Sequence, residues 1–374
     1  MVNHHECILK VIQKGLAYGY YLAGILFLPF LPFLRLLSLI YRMDRFISLK
    51  MDLIGCRYRE NQRRLVEDLM EIGLIQKVPP VCHGSSMEIK DSNPWQWRCM
   101  DWRCATRKSV ITEESWFSGK RKIYEVFKLL YMWSNGFSPL QIVQEVELSR
   151  KVVSSLCQDL RKLLKEENAK AEPLGRRHSD IIECDETCIG GTRKYHRGAK
   201  KRESGEIWVQ TIVESKESKD GEETRRAKKL RASVVPDRSQ ATLIGNIREA
   251  VEPGSYIQTD GWRGYAGLKE AGFSHDTVVH KETFVARAAS GKKVCTNTVE
   301  GVHSALKRKA RQMNLFAGNK ISEELIRNKV EELVWRFNTR EDKDKLPLLL
   351  YILSSNYPCD TITDVQRRLD VMLI

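Results

Sequence analysis

Three short strings do most to limit what this chain can fold into: Glu183-Cys184-Asp185-Glu186-Thr187, Thr259-Asp260-Gly261-Trp262 and Asn297-Thr298-Val299-Glu300-Gly301. The first follows the apolar pair Ile181-Ile182, and the second closes the strand-like run Ser255-Tyr256-Ile257-Gln258-Thr259. The third opens a helical stretch that continues to Arg311. A fold that uses all three acids must bring two strand ends and one helix to a common point. Carboxylates gathered in this way hold divalent cations, and such ions serve the cutting and joining of phosphodiesters.

The surrounding pattern supplies such a fold. Strands are expected at 181–187, 206–214, 229–235, 255–259 and 277–280. A helix is expected over 239–250, with Ser239 as cap and Leu243, Ile244, Ile247 and Val251 on one side. Further helices are expected at 298–311 and 321–338, and the polar stretch 215–224 reads as a hairpin loop. Three adjacent strands, a helix, a strand and more helices describe a layered α/β domain with a mixed sheet. The tail beyond Arg340 is short, ends apolar and is expected to pack on this domain.

Upstream, residues 57–73 form an amphipathic helix pattern, and 78–118 are rich in Cys, Trp and Pro. Residues 120–134 place Ile123, Val126, Phe127 and Leu130 at helical spacing. Ser138-Pro139 starts a short helix to 146, because Ser caps and Pro suits the first turn. A longer helix begins at Ser149, with Val152, Leu156, Leu160 and Leu163 as its apolar face and Arg150, Lys151, Arg161 and Lys162 exposed. Short helix, tight turn and longer helix resemble a helix-turn-helix; a plain three-helix bundle is the alternative.

Residues 16–34 run nineteen positions without a charge, the minimum for a membrane span, yet Pro29 and Pro32 interrupt them. A signal anchor, a buried hairpin and upstream sequence joined to a normal start at Met51 are three readings of this segment.

The chain carries a formal charge of +14, which points to a polyanionic partner. The cations cluster. One run holds Arg193, Lys194, Arg197, Lys200, Lys201 and Arg202, a second is Arg225 to Arg231, and a third spans Lys307 to Arg311 with Arg308. They flank the carboxylate strings, where contacts to a phosphate backbone would explain them. The ten cysteines are scattered, unlike a secreted disulfide framework, so a reducing compartment is expected.

On a helix, Glu300, His303, Ser304, Lys307 and Arg311 share one face, while Val299, Val302, Leu306 and Ala310 form an apolar one. Lys307 lies roughly 10 Å along the axis from Glu300. That arrangement serves a metal at Glu300 and a phosphate at Lys307, or it is an ordinary amphipathic helix.

Five motifs occur in order: Asp185-Glu186-Thr187 with Ile189-Gly190-Gly191, Val234-Val235-Pro236-Asp237-Arg238-Ser239, Thr259-Asp260-Gly261-Trp262-Arg263-Gly264-Tyr265, Asn297-Thr298-Val299-Glu300-Gly301, and Arg336-Phe337-Asn338. Together they resemble the Merlin superfamily of DNA transposases and its bacterial insertion-sequence relatives with an ISXO-type transposase domain. The likeness covers about 180–340, and 51–165 more loosely. It implies an RNase H-like fold and a DDE triad of Asp185, Asp260 and Glu300, with Lys307 as helper. Glu183 and Glu186 are rivals on chemistry alone, and the family motif selects Asp185. Glu300 is preferred to Asn297 as ligand because a carboxylate binds Mg²⁺ better than an amide, which leaves Asn297 as helix cap.

The resemblance further implies Mg²⁺ or Mn²⁺ as cofactor. It implies double-stranded DNA with terminal inverted repeats as partner, a homo-oligomer on DNA, and a nuclear location in a eukaryote or a cytoplasmic one otherwise. DNA contacts are expected at Arg150, Lys151, the loop cations Arg193 to Arg202, Arg308 and Arg311. Relatives often carry a zinc element ahead of the helix-turn-helix, and Cys82, Cys99 and Cys104 lie in that region. Pro79 stands where a first cysteine would be expected, and His83 is the nearby fourth candidate, although adjacent residues rarely ligate one zinc well.

The chain thus divides into an apolar extension (1–50), a helix and Cys/Trp-rich element (51–118), a helix-turn-helix region (119–170), an RNase H-like catalytic domain (178–342) and a tail (343–374). A transposase is the leading expectation. A catalytically silent DNA-binding derivative and a membrane-anchored RNase H-like nuclease are the alternatives.

Overall fold

The structure is a computed structural model that describes residues 46, 49, 54–90, 94–120, 122–177, 179–189, 207–217, 225–278, 286–287, 293–312 and 322–359. The apolar run 16–34 and the basic loop from Arg193 to Arg202 lie outside the described residues. Among the described residues, no helix is long and apolar enough to cross a membrane. The chain forms two compact units, one of residues up to Val153 together with those from Asp344 onward, the other from Ser154 to Lys343.

The described part of the first unit includes a π-helical turn, Gly55–Arg59, followed by helix α1, Gln62–Glu71. Short strands follow: β1 Val81–Cys82, β2 Ser85–Ser86, β3 Glu88–Ile89, β4 Gln96–Arg98 and β5 Arg107–Ser109. The strands β3, β4 and β5 make one antiparallel sheet, and β1 pairs with β2. Helices α2 (Ile123–Ser134) and α3 (Pro139–Glu145) come next. Ser138 caps α3 in a reciprocal box with Gln141, as the Ser-Pro pair predicts. Phe127 of α2 anchors the core, with the rings of Phe46 and Tyr58 at 5.7 and 5.4 Å.

Helix α4 runs Arg150–Ala169 and starts where the sequence places it. Leu156, Leu160 and Leu163 form the expected apolar face, but Val153 is buried in place of Val152, which is exposed. Arg161, expected on the surface, is buried. Its Nε donates to Glu332 at 2.7 Å, so packing recruited this cation into the interior. The apolar tail also departs from expectation. Helix α8 (Leu346–Asn356) packs on α2 in the first unit rather than on the sheet domain, because its leucines complete that core.

The second unit is built on strands β6 (Ile181–Cys188), β7 (Trp208–Glu217), β8 (Arg225–Val235), β9 (Tyr256–Asp260) and β10 (Ser274–Val278). Their order is β10-β9-β6-β7-β8. The first three are antiparallel, β9 runs parallel to β6, and β10 runs parallel to β9. This is the RNase H-like arrangement. Helix α5 (Gln240–Ala250) crosses from β8 to β9. The short pair β11 (Ala286–Arg287) and β12 (Lys293–Val294) precedes α6 (Asn297–Gln312) and α7 (Glu323–Asn338).

Two cores flank the sheet. On one face Ile182, Cys184, Ile212 and Ile257 meet Leu243, Ile244 and Ile247 of α5. On the other, Val209, Val213 and Leu230 meet Val299, Val302, Leu306 and Ala310 of α6 and Ile326 and Val330 of α7. The apolar face expected for α6 is therefore the face it buries. Strand β8 begins earlier than expected, which absorbs the second basic run. Arg225 lies 3.6 Å from Glu183, Lys228 bonds Asp180 at 2.9 Å, and Arg231 bonds the carbonyls of Asn168 and Ala171. These three cations hold the fold together and do not form a free phosphate-binding face.

Candidate active site

Strand alternation decides which acids of the first motif share a space. Ile182, Cys184 and Glu186 face α5, whereas Glu183 and Asp185 face α6. Glu186 is held by Arg238, whose Nε donates to it at 2.7 Å, and by the hydroxyl of Tyr265. Arg238 lies between the rings of Trp208 and Trp262, at 4.4 and 4.2 Å, and its carbonyl accepts from the Trp262 indole at 3.1 Å. The second and third motifs thus share a structural job. A Cβ on Gly264 would stand 2.7 Å from Leu243, which explains the glycine after Arg263.

Glu183 has another task. It is fully buried, and one carboxylate oxygen accepts the backbone N–H groups of Thr298 and Val299 at 3.0 and 3.1 Å. Its other oxygen accepts from Ser215 at 3.2 Å. A carboxylate at a helix N-terminus satisfies orphan donors and complements the helix dipole. Glu183, from a distant strand, therefore caps α6. Asn297, expected as cap, is exposed and already part of the helix, whose Glu300 N–H bonds the carbonyl of Thr296 at 3.1 Å.

Asp185 lies on β6 next to the strand that ends at Asp260, since Cys184 pairs with Thr259. Burial, then the charge of Asp260, with smaller contributions from Glu186 and Glu300, pushes the Asp185 carboxyl up to about 7; the Glu186 N–H, at 2.7 Å, opposes this. Asp260 accepts the Trp262 N–H at 3.1 Å, which fixes its carboxyl at the strand end. Glu300 is exposed on the first turn of α6 and close enough to act on Asp185. The structure thus brings Asp185, Asp260 and Glu300 into one electrostatic neighbourhood.

His303, expected on the solvent face of α6, is buried instead. Burial, then the charge of Lys307 one turn on, lowers it to about 4, so it is neutral near pH 7. The Thr211 hydroxyl lies 3.0 Å from the Asp185 carbonyl and 2.5 Å from His303 Nε2. On the other side of the ring, His303 Nδ1 lies 3.6 Å from Asp185 Oδ2. The imidazole thus sits between Thr211 and the Asp185 carboxyl and fixes that side of the site. The signal for His303 in the sequence is its place three residues after Glu300. Lys307 is half-buried, and Arg308 and Arg311 are exposed further along α6. Arg150 and Lys151 are exposed at the start of α4.

A second group of ligands lies in the first unit. One ligand atom from each of Cys82, His83, Cys99 and Cys104 lies within 4.8 Å of the others, the one such set among the described residues. Cys82 Sγ is 3.3 Å from His83 Nδ1 and 3.7 Å from Cys104 Sγ, and Cys99 Sγ is 3.7 Å from His83 Nδ1. The objection to adjacent ligands fails because His83 has a φ of 52°, followed by Gly84 at 73°. This two-residue left-handed turn between β1 and β2 swings the imidazole back beside the Cys82 thiol.

Fold and site together define an RNase H-like domain with one acid within a central strand, one at the end of the neighbouring strand and one on the helix that follows them. Residues 177–338 match the family described as the ISXO2-like transposase domain. An uncharacterized transposase-like protein of Haemophilus influenzae is 30% identical over 128 residues, 34% of this chain and 96% of that protein. The chain belongs to the ISXO2-like transposase family. The crystal structure of the Mos1 strand transfer complex is matched at 13% identity over 62% of this chain and 77% of that one. The TM-score of that match is 0.20.

Proposed function

We propose that this chain is a DNA transposase that binds the terminal inverted repeats of its element and catalyses cation-dependent strand cleavage and transfer. The observation that carries the proposal is the Asp185 neighbourhood: a carboxyl raised to about 7 by burial and by Asp260, beside a buried, neutral histidine. Three acids with this mutual repulsion suit a hard divalent cation. Asp185, Asp260 and Glu300 would hold Mg²⁺ or Mn²⁺, which supplies positive charge to a phosphodiester oxygen and makes water or a 3′-hydroxyl a better nucleophile. His303 and Thr211 fix the Asp185 side of the site, and Glu183 fixes the start of the helix that carries Glu300. Lys307 orients a DNA phosphate and Arg308 and Arg311 contact the backbone beyond it; Arg150 and Lys151 make separate contacts from the start of α4.

Cys82, His83, Cys99 and Cys104 form a donor set suited to Zn²⁺, three soft thiols and an imidazole. The ion would staple the short strands that precede the helix-turn-helix. The protein acts as a homo-oligomer on DNA, in the nucleus of a eukaryote or the cytoplasm of a bacterium.

The deciding experiment is nicking of a duplex bearing the element's ends, with and without Mg²⁺. Asp185→Asn, Asp260→Asn and Glu300→Gln should each abolish nicking and leave binding largely intact, and combining them should add little, because residues acting as one unit are not additive. A protein that binds the ends and never nicks them with Mg²⁺ or Mn²⁺ is a silent DNA-binding derivative.

A further inference from the structure

Large apolar side chains are seldom left in water on a rigid turn, yet Trp102 is 83% exposed. It sits at the tip of the hairpin formed by β4 and β5. Pairing continues past the strands, where Cys99 N–H bonds the Thr106 carbonyl at 3.2 Å. The tip closes with a bond from Cys104 N–H to the Asp101 carbonyl at 2.9 Å, and Asp101 Oδ1 accepts from Arg103 N–H at 2.9 Å. Cys99 and Cys104 root both arms in the cysteine–histidine cluster. The indole is thus held outward by backbone bonds on a stapled loop.

Its surroundings are cationic. The Arg103 guanidinium lies 4.7 Å from the Trp102 ring centre. Arg98 and Arg107 are both exposed and stand directly opposite each other across β4 and β5. Like charges set opposite across a strand pair repel. Glu88 pairs with Arg98 from β3, which leaves one acid for two guanidiniums in that row. A phosphate between Arg98 and Arg107 removes the repulsion.

We infer that the β4–β5 hairpin is a DNA-contacting element separate from the helix-turn-helix, with Arg98 and Arg107 sharing backbone phosphate and Trp102 packing on a sugar or base. The inference rests on the DNA-binding function proposed above and adds a second contact to it. The combination of guanidinium charge and an exposed aromatic is the chemistry by which proteins hold nucleic acid.

The test uses the full chain with its native metal content and a fluorescein-labelled duplex of mixed sequence. Trp102→Ala should weaken binding about tenfold, with Trp102→Phe in between. Arg98→Ala combined with Arg107→Ala should flatten the plot of log affinity against log salt by roughly 1, the one phosphate they share. Trp102 is on the surface, so a circular dichroism spectrum equal to the parent's is expected. Unchanged affinity and salt slope in all three variants overturn the inference and leave the transposase reading standing. If Trp102→Ala instead converts an oligomer to a smaller species at unchanged DNA affinity, the hairpin is a contact between copies and the inference falls. Failure of the unaltered chain to bind any duplex overturns both.

Discussion

Asp185→Asn should make the metal-free protein more stable near neutral pH while destroying its cation site. The folded carboxyl is raised from 3.8 to about 7. Between those values the folded protein keeps a proton that the unfolded chain has released. The carboxyl therefore favours folding at low pH, and that contribution is lost as pH rises through the window and is gone above about 7. The slope is about 1.4 kcal/mol per pH unit, so between about pH 5 and about pH 8 the parent should lose roughly 3 kcal/mol that the variant does not. Asparagine keeps the shape and still accepts the Glu186 N–H, which leaves the charge as the difference. The assay is urea unfolding of both proteins in Mg²⁺-free buffer without chelator, so that a cysteine-bound ion stays in place. Adding Mg²⁺ at about 100 times its dissociation constant should restore roughly 2.7 kcal/mol to the parent at about pH 8 and nothing to the variant. Parallel pH profiles for the two proteins would refute the reasoning.

Glu183→Gln keeps a side-chain acceptor for the Thr298 and Val299 N–H groups but loses its charge, and should cost about 1–2 kcal/mol in thermal unfolding and weaken Mn²⁺ binding. Glu183→Ala should cost more, because Arg225 loses its buried counter-charge, and a melting curve equal to the parent's would rule out the cap. The full chain should bind Co²⁺ with thiolate charge-transfer absorption, and His83→Ala should weaken that binding at least roughly 10- to 100-fold; an unchanged spectrum and affinity would remove His83 from the ligand set. Replacing Arg193, Lys194, Arg197, Lys200, Lys201 and Arg202 with Ala should weaken DNA binding and flatten the salt slope by up to about 5, and an unaltered slope would make that loop plain solvated surface.

Several features are local and could be read from sequence. Ser138-Pro139 starts α3, Ser239 caps α5 by accepting the Thr242 N–H, and the apolar spacing of Val299, Val302, Leu306 and Ala310 is the buried face of α6. Each depends on neighbours within a turn or two. The ordered motifs place Asp260 at a strand end and Glu300 at a helix start, as the structure does, whereas Asp185, expected at a strand end, lies within β6 because pairing with β7 continues to Cys188.

Tertiary structure decided what each neighbouring group does. Glu183 and Glu186 flank Asp185 with the same chemistry, but strand alternation sends one to cap a helix more than a hundred residues away and the other to Arg238 and Tyr265. Arg225, Lys228 and Arg231 look like a phosphate-binding run until their strand partners turn them inward. His83 joins Cys82 only because its backbone adopts a left-handed turn, and His303 stays neutral down to about pH 4 because it is buried and lies near Lys307. Sequence records the type and order of charged groups. Their protonation and partners depend on burial and on distances across the fold, which exist only once the sheet and its helices have assembled.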